Sequence, residues 1–163
     1  MNRIALARTI NTLNAIAGLE RAMATFYQAC AETPEDGRDF WLGLEQEELR
    51  HAQHLQRMME IIAERPEHFE PNRIFNATAI QTFMTYLGTL IERVQTNQIP
   101  RTDQHRLLSV ARDLEQSLLE SKCHELVKTQ DAEYLALTRA VIADTVAHKD
   151  RIVTRLAATP MPV

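Results

Sequence analysis

Two ionisable residues that face a core constrain this chain more than any other feature. Trp41, Leu44, Glu48, His51, Leu55, Met58 and Ile62 follow one another at alternating steps of three and four, which puts them on one stripe of a helix. The remaining members are apolar, so Glu48 and His51 point inward, one turn apart. Burying a carboxylate beside an imidazole is costly unless something pairs with both. A metal ion is the economical partner.

Three further stripes have the same form. Leu13, Ile16, Glu20, Met23, Tyr27 and Cys30 make one, with Glu20 its only charged member. Leu108, Ala111, Glu115 and Leu118, with Cys123 and Leu126 a turn later, make another, with Glu115 in the seam. Tyr134, Leu137, Val141, Thr145, His148 and Ile152 make the last. His51 follows Glu20, and His148 follows Glu115, at nearly the same separation. Each half thus reads as a helical hairpin with an inward Glu on its first helix and an inward His on its second. A site between two pseudo-symmetric hairpins requires such a repeat.

Composition supports a helical reading. The chain has 163 residues, which favours a single domain over 1–163, and its 4 glycines and 6 prolines leave long uninterrupted windows. Spacing and breakers predict helices over about 3–32, 36–64, 75–98, 102–128 and 132–157. Thr102 serves as the predicted N-cap of the fourth. Pro66 and Pro71 exclude a continuous helix between the second and third. The third, with the charge-free stripe Ile80, Phe83, Met84, Leu87, Leu90, Ile91 and Val94, reads as a crossover packed on the outside. The net charge of -4, with no dense basic run, argues against nucleic acid as a partner. No apolar window is long enough to span a membrane. Met1 to Ala7 lacks a signal peptide's apolar core, and 2 cysteines are too few for a disulfide framework, so a cytoplasmic, reducing location is the default expectation.

Leu19-Glu20-Arg21-Ala22 with Phe26-Tyr27, Glu47-Glu48-Leu49-Arg50-His51-Ala52, and Leu114-Glu115-Gln116-Ser117-Leu118-Leu119-Glu120 resemble motifs of the ferritin-like superfamily, most closely its rubrerythrin-like branch. The likeness covers nearly the whole chain and implies an all-α, ferritin-like four-helix bundle with a crossover helix between helix two and helix three. It implies two iron ions, with manganese or a single iron as alternatives. Glu20 would be a terminal ligand of one iron, Glu48 a bridging carboxylate and His51 that iron's nitrogen ligand. Glu115 and His148 would take the terminal and nitrogen roles at the second. The implied activity is that of a non-haem di-iron oxidoreductase, by peroxide reduction or ferrous oxidation. No Cys-x-x-Cys pair is present, so an external electron donor would be required. Bundles of this kind often pair through outer helix faces, which makes a homodimer the expected assembly and Phe40 and Trp41 its expected contact.

One position departs from the family pattern. The fourth helix has Thr145 where the family has Glu, three residues before His148, and Asp144 lies four before it. Asp144 falls at the rim of the apolar face and could serve as a ligand only through a rotation or a π-bulge. Tyr27 has two readings, a hydrogen bond to a ligand carboxylate or plain core packing. His54 reads as solvated or half-buried, and Glu45, Glu47, Arg50 and Arg57 as the solvated edge of the second helix. Cys123-His124 can turn only one side chain to the core. Two alternatives stand beside the di-iron reading. One is a ferritin-like module with an incomplete, mononuclear site. The other is a structural or interaction protein without metal, whose polar seam pairs internally.

Overall fold

The computed structural model describes residues 3–32, 37–72, 76–120 and 125–161. Five α-helices dominate: α1 (Arg3–Ala31), α2 (Arg38–Glu64), α3 (Ala77–Gln95), α4 (Gln104–Glu120) and α5 (Ala132–Ala158). A short ribbon joins β1 (Phe69–Pro71), which follows a 3-10 turn over Pro66–His68, to β2 (Val127–Thr129). The all-α expectation is met. Among the described residues no helix is long and apolar enough to cross a membrane.

Helix α1 lies antiparallel to α2, because Tyr27 stacks on Trp41 near their connection while Glu20 meets His51 further along. Helix α5 packs on both α4 and α2. Helix α3 lies against α1, burying Leu87, Leu90 and Val94 and leaving Ile80, Phe83, Met84 and Ile91 half-covered.

Two apolar clusters form the core. One gathers Met23, Phe26, Tyr27, Trp41, Leu44, Leu107 and Ile152. The other gathers Leu13, Ile16, Leu55, Met58, Ile62, Phe69 and Tyr134. Along α1, α2 and α5 the inward Glu and His positions fall between the two. A band of buried polar side chains thus separates two apolar layers.

Several boundaries differ from the sequence expectation. The fourth helix was expected to reach Lys128, but the described part of α4 is Gln104–Glu120 and Val127–Thr129 is strand. There Phe69 pairs with Thr129 and Pro71 with Val127. The β-branched Val127 and Thr129 suit a pleated ribbon, and the extended chain after Pro66 supplies a partner that no local pattern reveals. Leu126 is buried as expected, but in the ribbon's approach and not on a helix. The N-cap of α4 is Asp103, whose Oδ1 accepts from Arg106 N at 3.1 Å, and not Thr102. Helix α3 stops before 98 because Asn97 adopts a φ of 60°, the left-handed conformation that closes helices and that Asn tolerates. Thr33 to Asp36, Phe75, Cys123 and His124 lie outside the described residues, as does the side chain of Leu118.

Trp41 does not lie on an outer face. It is fully buried, stacks on Tyr27 with ring centroids 5.8 Å apart, and donates its indole N–H to Gln104 Oε1 at 3.0 Å. Phe40 is half-covered, and the Arg155 guanidinium sits 4.7 Å over its ring. The expected dimer contact through Trp41 is therefore withdrawn: its hydrophobic payload is spent inside the chain.

Candidate metal centre

Four helices each deliver polar side chains to one buried point. Helix α1 supplies Glu20, α2 supplies Glu48 and His51, α4 supplies Glu115, and α5 supplies His148; all are buried. Each reaches inward because it lies on a helix stripe whose other members are mainly apolar and hold that face against the core.

Glu48 is at the centre. Its Oε2 lies 3.1 Å from His51 Nδ1 and its Oε1 lies 3.0 Å from His148 Nδ1. One carboxylate thus spans two imidazoles, whose rings stack at 5.2 Å and 20°. Glu20 Oε2 stands 3.7 Å from His51 Nδ1, and Glu115 Oε1 stands 3.5 Å from His148 Nδ1. Glu48, His51 and His148 each offer a ligand atom within 4.8 Å of the others, a group able to hold a metal ion.

The outer nitrogens are held as well. His51 Nε2 lies 3.3 Å from Asp144 Oδ2, and His148 Nε2 lies 2.6 Å from Glu47 Oε2, off the line of a good hydrogen bond. The pairing is reciprocal, since α2's imidazole meets α5's carboxylate and α5's meets α2's. Both carboxylates sit four residues before a histidine, so Asp144 is the counterpart of Glu47 and not of Glu48. Helix α5 runs as regular α-helix through 144–148, with no π-bulge, and the Asp144 side chain stays 37% exposed. Asp144 therefore lies outside the inner group, on the far side of His51. Thr145 is buried, and its hydroxyl turns back to Val141 O at 2.9 Å, so it offers nothing to the centre.

Glu47 was read as solvated edge and is not. It meets His148, pairs with Arg151, and sits 3.9 Å from Arg50. The signal that could have found it is the repeat itself, a carboxylate four before each inward His. Arg50 matches Asp144 in the same way, at 3.7 Å. His54 is half-buried, as expected.

Tyr27 does more than pack in the core. It is fully buried and donates its hydroxyl to Glu115 Oε1 at 2.5 Å. Burial and the adjacent Glu115 carboxylate push the phenol well up, so it remains a donor. One oxygen each of Glu20 and Glu115, Oε2 in both, is buried with no hydrogen-bond partner among the described residues. Buried unpartnered carboxylate oxygens are costly and uncommon. They are what a cation would satisfy.

Protons now hold the charge. Burial and the neighbouring Glu48 push Glu20 up to about 8. Burial acts to lower His51, but Glu20 and Glu48 beside it overcome this and raise it to about 10. His148 behaves likewise, with Glu115 and Glu48 raising it against burial to about 9. Metal uptake at such a site must displace these protons.

No protein-family model matches this chain, and no curated protein or solved structure matches it either.

Proposed function

We propose that this chain is a ferritin-like metal protein that holds two iron ions and works as a non-haem di-iron oxidoreductase of rubrerythrin type. The observation that supports this most is the single Glu48 carboxylate shared between His51 Nδ1 and His148 Nδ1, with a carboxylate oxygen on either side that has no hydrogen-bond partner among the described residues. A core that gains nothing from metal has little reason to bury three carboxylates there, because apolar replacements of buried ionic groups are often neutral or stabilising.

In this reading Glu20, Glu48 and His51 hold one ion, and Glu48, Glu115 and His148 hold the other. Carboxylate with imidazole suits iron or manganese. When bound, iron supplies the one-electron changes that peroxide reduction or ferrous oxidation needs. The chain's own residues do the rest. Tyr27 fixes Glu115, while Asp144 and Glu47 fix the two imidazoles from behind, the kind of outer support that sets ligand orientation. The two apolar clusters keep bulk water from the centre. Electrons must come from a separate donor protein or small reductant.

Thr145 favours a second reading, with a single ion, because α5 contributes no carboxylate to the inner group and Glu48, His51 and His148 are near enough to one another to share one. Anaerobic reconstitution with ferrous iron, followed by metal analysis and absorbance before and after air, separates the cases. Two irons per chain with an oxygen-dependent spectral change supports the first. One iron supports the second. No bound metal of either kind overturns both, and the seam is then only internally paired polar packing.

A further inference from the structure

We propose that the outward face of α3 is an interface between two copies of this chain, packed antiparallel about a two-fold axis at the level of Leu87.

The face is unlike an ordinary helix surface. From Ala77 to Ile91 no residue of α3 is charged, although charged residues make up 25% of the chain. Its inner side is spent on α1, through Leu87, Leu90 and Val94. On the far side Thr78, Thr82, Thr85, Tyr86, Gly88 and Thr89 are exposed, Tyr86 by 53%. A solvated helix carries charge on that side. The hydroxyls of Thr82, Thr85 and Thr89 each donate to the carbonyl four residues back, at 2.8, 3.0 and 3.1 Å. They are satisfied within the helix and ask little of water. A Cβ added at Gly88 would meet nothing within 4 Å, so the chain's own packing does not call for glycine there, and glycine weakens a helix interior. Close approach from outside does call for it.

The order of residues points to a second copy. Counting outward from Leu87, positions at equal distance on either side match in kind. On the outer side Thr85 matches Thr89, Thr78 matches Thr96, and the polar Gln81 and Thr82 match Arg93 and Glu92. Toward the core Met84 matches Leu90, Phe83 matches Ile91 and Ile80 matches Val94. An antiparallel pair sets each position level with its mirror position in the other copy. A face with this symmetry is therefore self-complementary, which is what a two-fold interface requires.

Charge selects the direction. Glu92 and Arg93 are the only charged residues of α3. Parallel packing would bring each against its own copy. Antiparallel packing separates the two Arg93 side chains by about 18 Å along the axis, at ~1.5 Å per residue, and sets Glu92 beside the partner's Gln81, an amide that can donate to it. Tyr86 and Gly88 fall on opposite flanks of the face, so the two-fold gathers the tyrosines on one flank and lets the backbones approach on the other.

The test is sedimentation equilibrium of the full chain over a hundredfold range of concentration. The wild type should dimerise reversibly. Thr85→Lys and Thr89→Glu, each at an exposed position, should keep the helical circular dichroism and weaken association by about tenfold or more, because each sets like charges across the axis. Mixed in equal amounts, the two variants should recover the lost association, since the two-fold sets position 85 opposite position 89. A wild type that stays monomeric throughout overturns the proposal, whether or not it floats with phosphatidylcholine vesicles. So does a dimer that neither variant weakens, which would place the contact on another face. A mixture no tighter than its components overturns the antiparallel register.

Discussion

The two hairpins supply the same nitrogens but not the same oxygens. The α1–α2 half gives Glu20, Glu48 and His51; the α4–α5 half gives Glu115 and His148, with Thr145 where a second shared carboxylate would stand. The supports differ too. Glu115 is held by Tyr27 at 2.5 Å, whereas Glu20 has no hydroxyl on it and its carboxyl is pushed up to about 8 by burial and by Glu48. His148 is backed by a half-buried Glu47, and His51 by the more exposed Asp144. The lesson is that near-symmetric folding can carry an asymmetric site. The backbone repeat fixes where the imidazoles sit, and individual side chains decide how each half is charged.

The largest break in this comparison is Glu48→Ala, since both halves use that carboxylate. It should abolish uptake of both ions and cost the metal-free protein about 3 kcal/mol, because two buried imidazoles lose their common partner. Metal analysis and urea melts measure both effects, and two ions retained would contradict the shared role. Next come His51→Ala and His148→Ala. Each should reduce a two-ion chain to one, and comparison of the two residual affinities shows which half is the stronger. Equal loss of both ions from either variant would mean that the halves do not act separately.

The pH dependence of the metal-free protein follows. His51 and His148 stand at about 10 and about 9 when folded, above the ordinary 6.5, so their stabilisation is full below pH 6.5 and is lost as pH rises through 9 to 10. Glu20, raised from 4.5 to about 8, acts in the same direction, since its folded form favours the proton up to that pH. Thermal melts of metal-free protein should therefore fall steadily above neutrality, while metal affinity rises over the same range because fewer protons compete. A flat profile would show that the cluster is not protonated as described.

Tyr27→Phe has the smallest expected effect and sharpens the comparison by making Glu115 resemble Glu20. It should cost about 2 kcal/mol for the lost bond to a charged acceptor. Both ions should remain, with affinity lowered on the order of tenfold. An unchanged affinity would reduce Tyr27 to packing.

Much of this was legible in the sequence. Five helices were placed, two of them within a residue at each end, because long apolar stripes at steps of three and four are a local signal. Glu20, Glu48, His51, Glu115 and His148 were recognised as inward for the same reason, and they do converge. Glu47 was missed because its own helix gives it a solvent-edge position, and its role exists only where α5 comes alongside. The end of α4 was missed because Val127–Thr129 is strand only by pairing with β1, more than fifty residues earlier. Trp41 was given two incompatible readings, inward on its stripe and outward in a dimer; only Tyr27 and Gln104 decide between them.

By itself, then, the sequence determined the helices, their buried faces and the anomaly at Thr145, all of which depend on contacts within a few turns. Only the tertiary structure decided that one carboxylate serves both histidines, that Asp144 and Glu47 cross over to back them, and that two carboxylate oxygens are left without a hydrogen-bond partner among the described residues. Those facts depend on distances between helices far apart in the chain, and packing of the whole core fixes them.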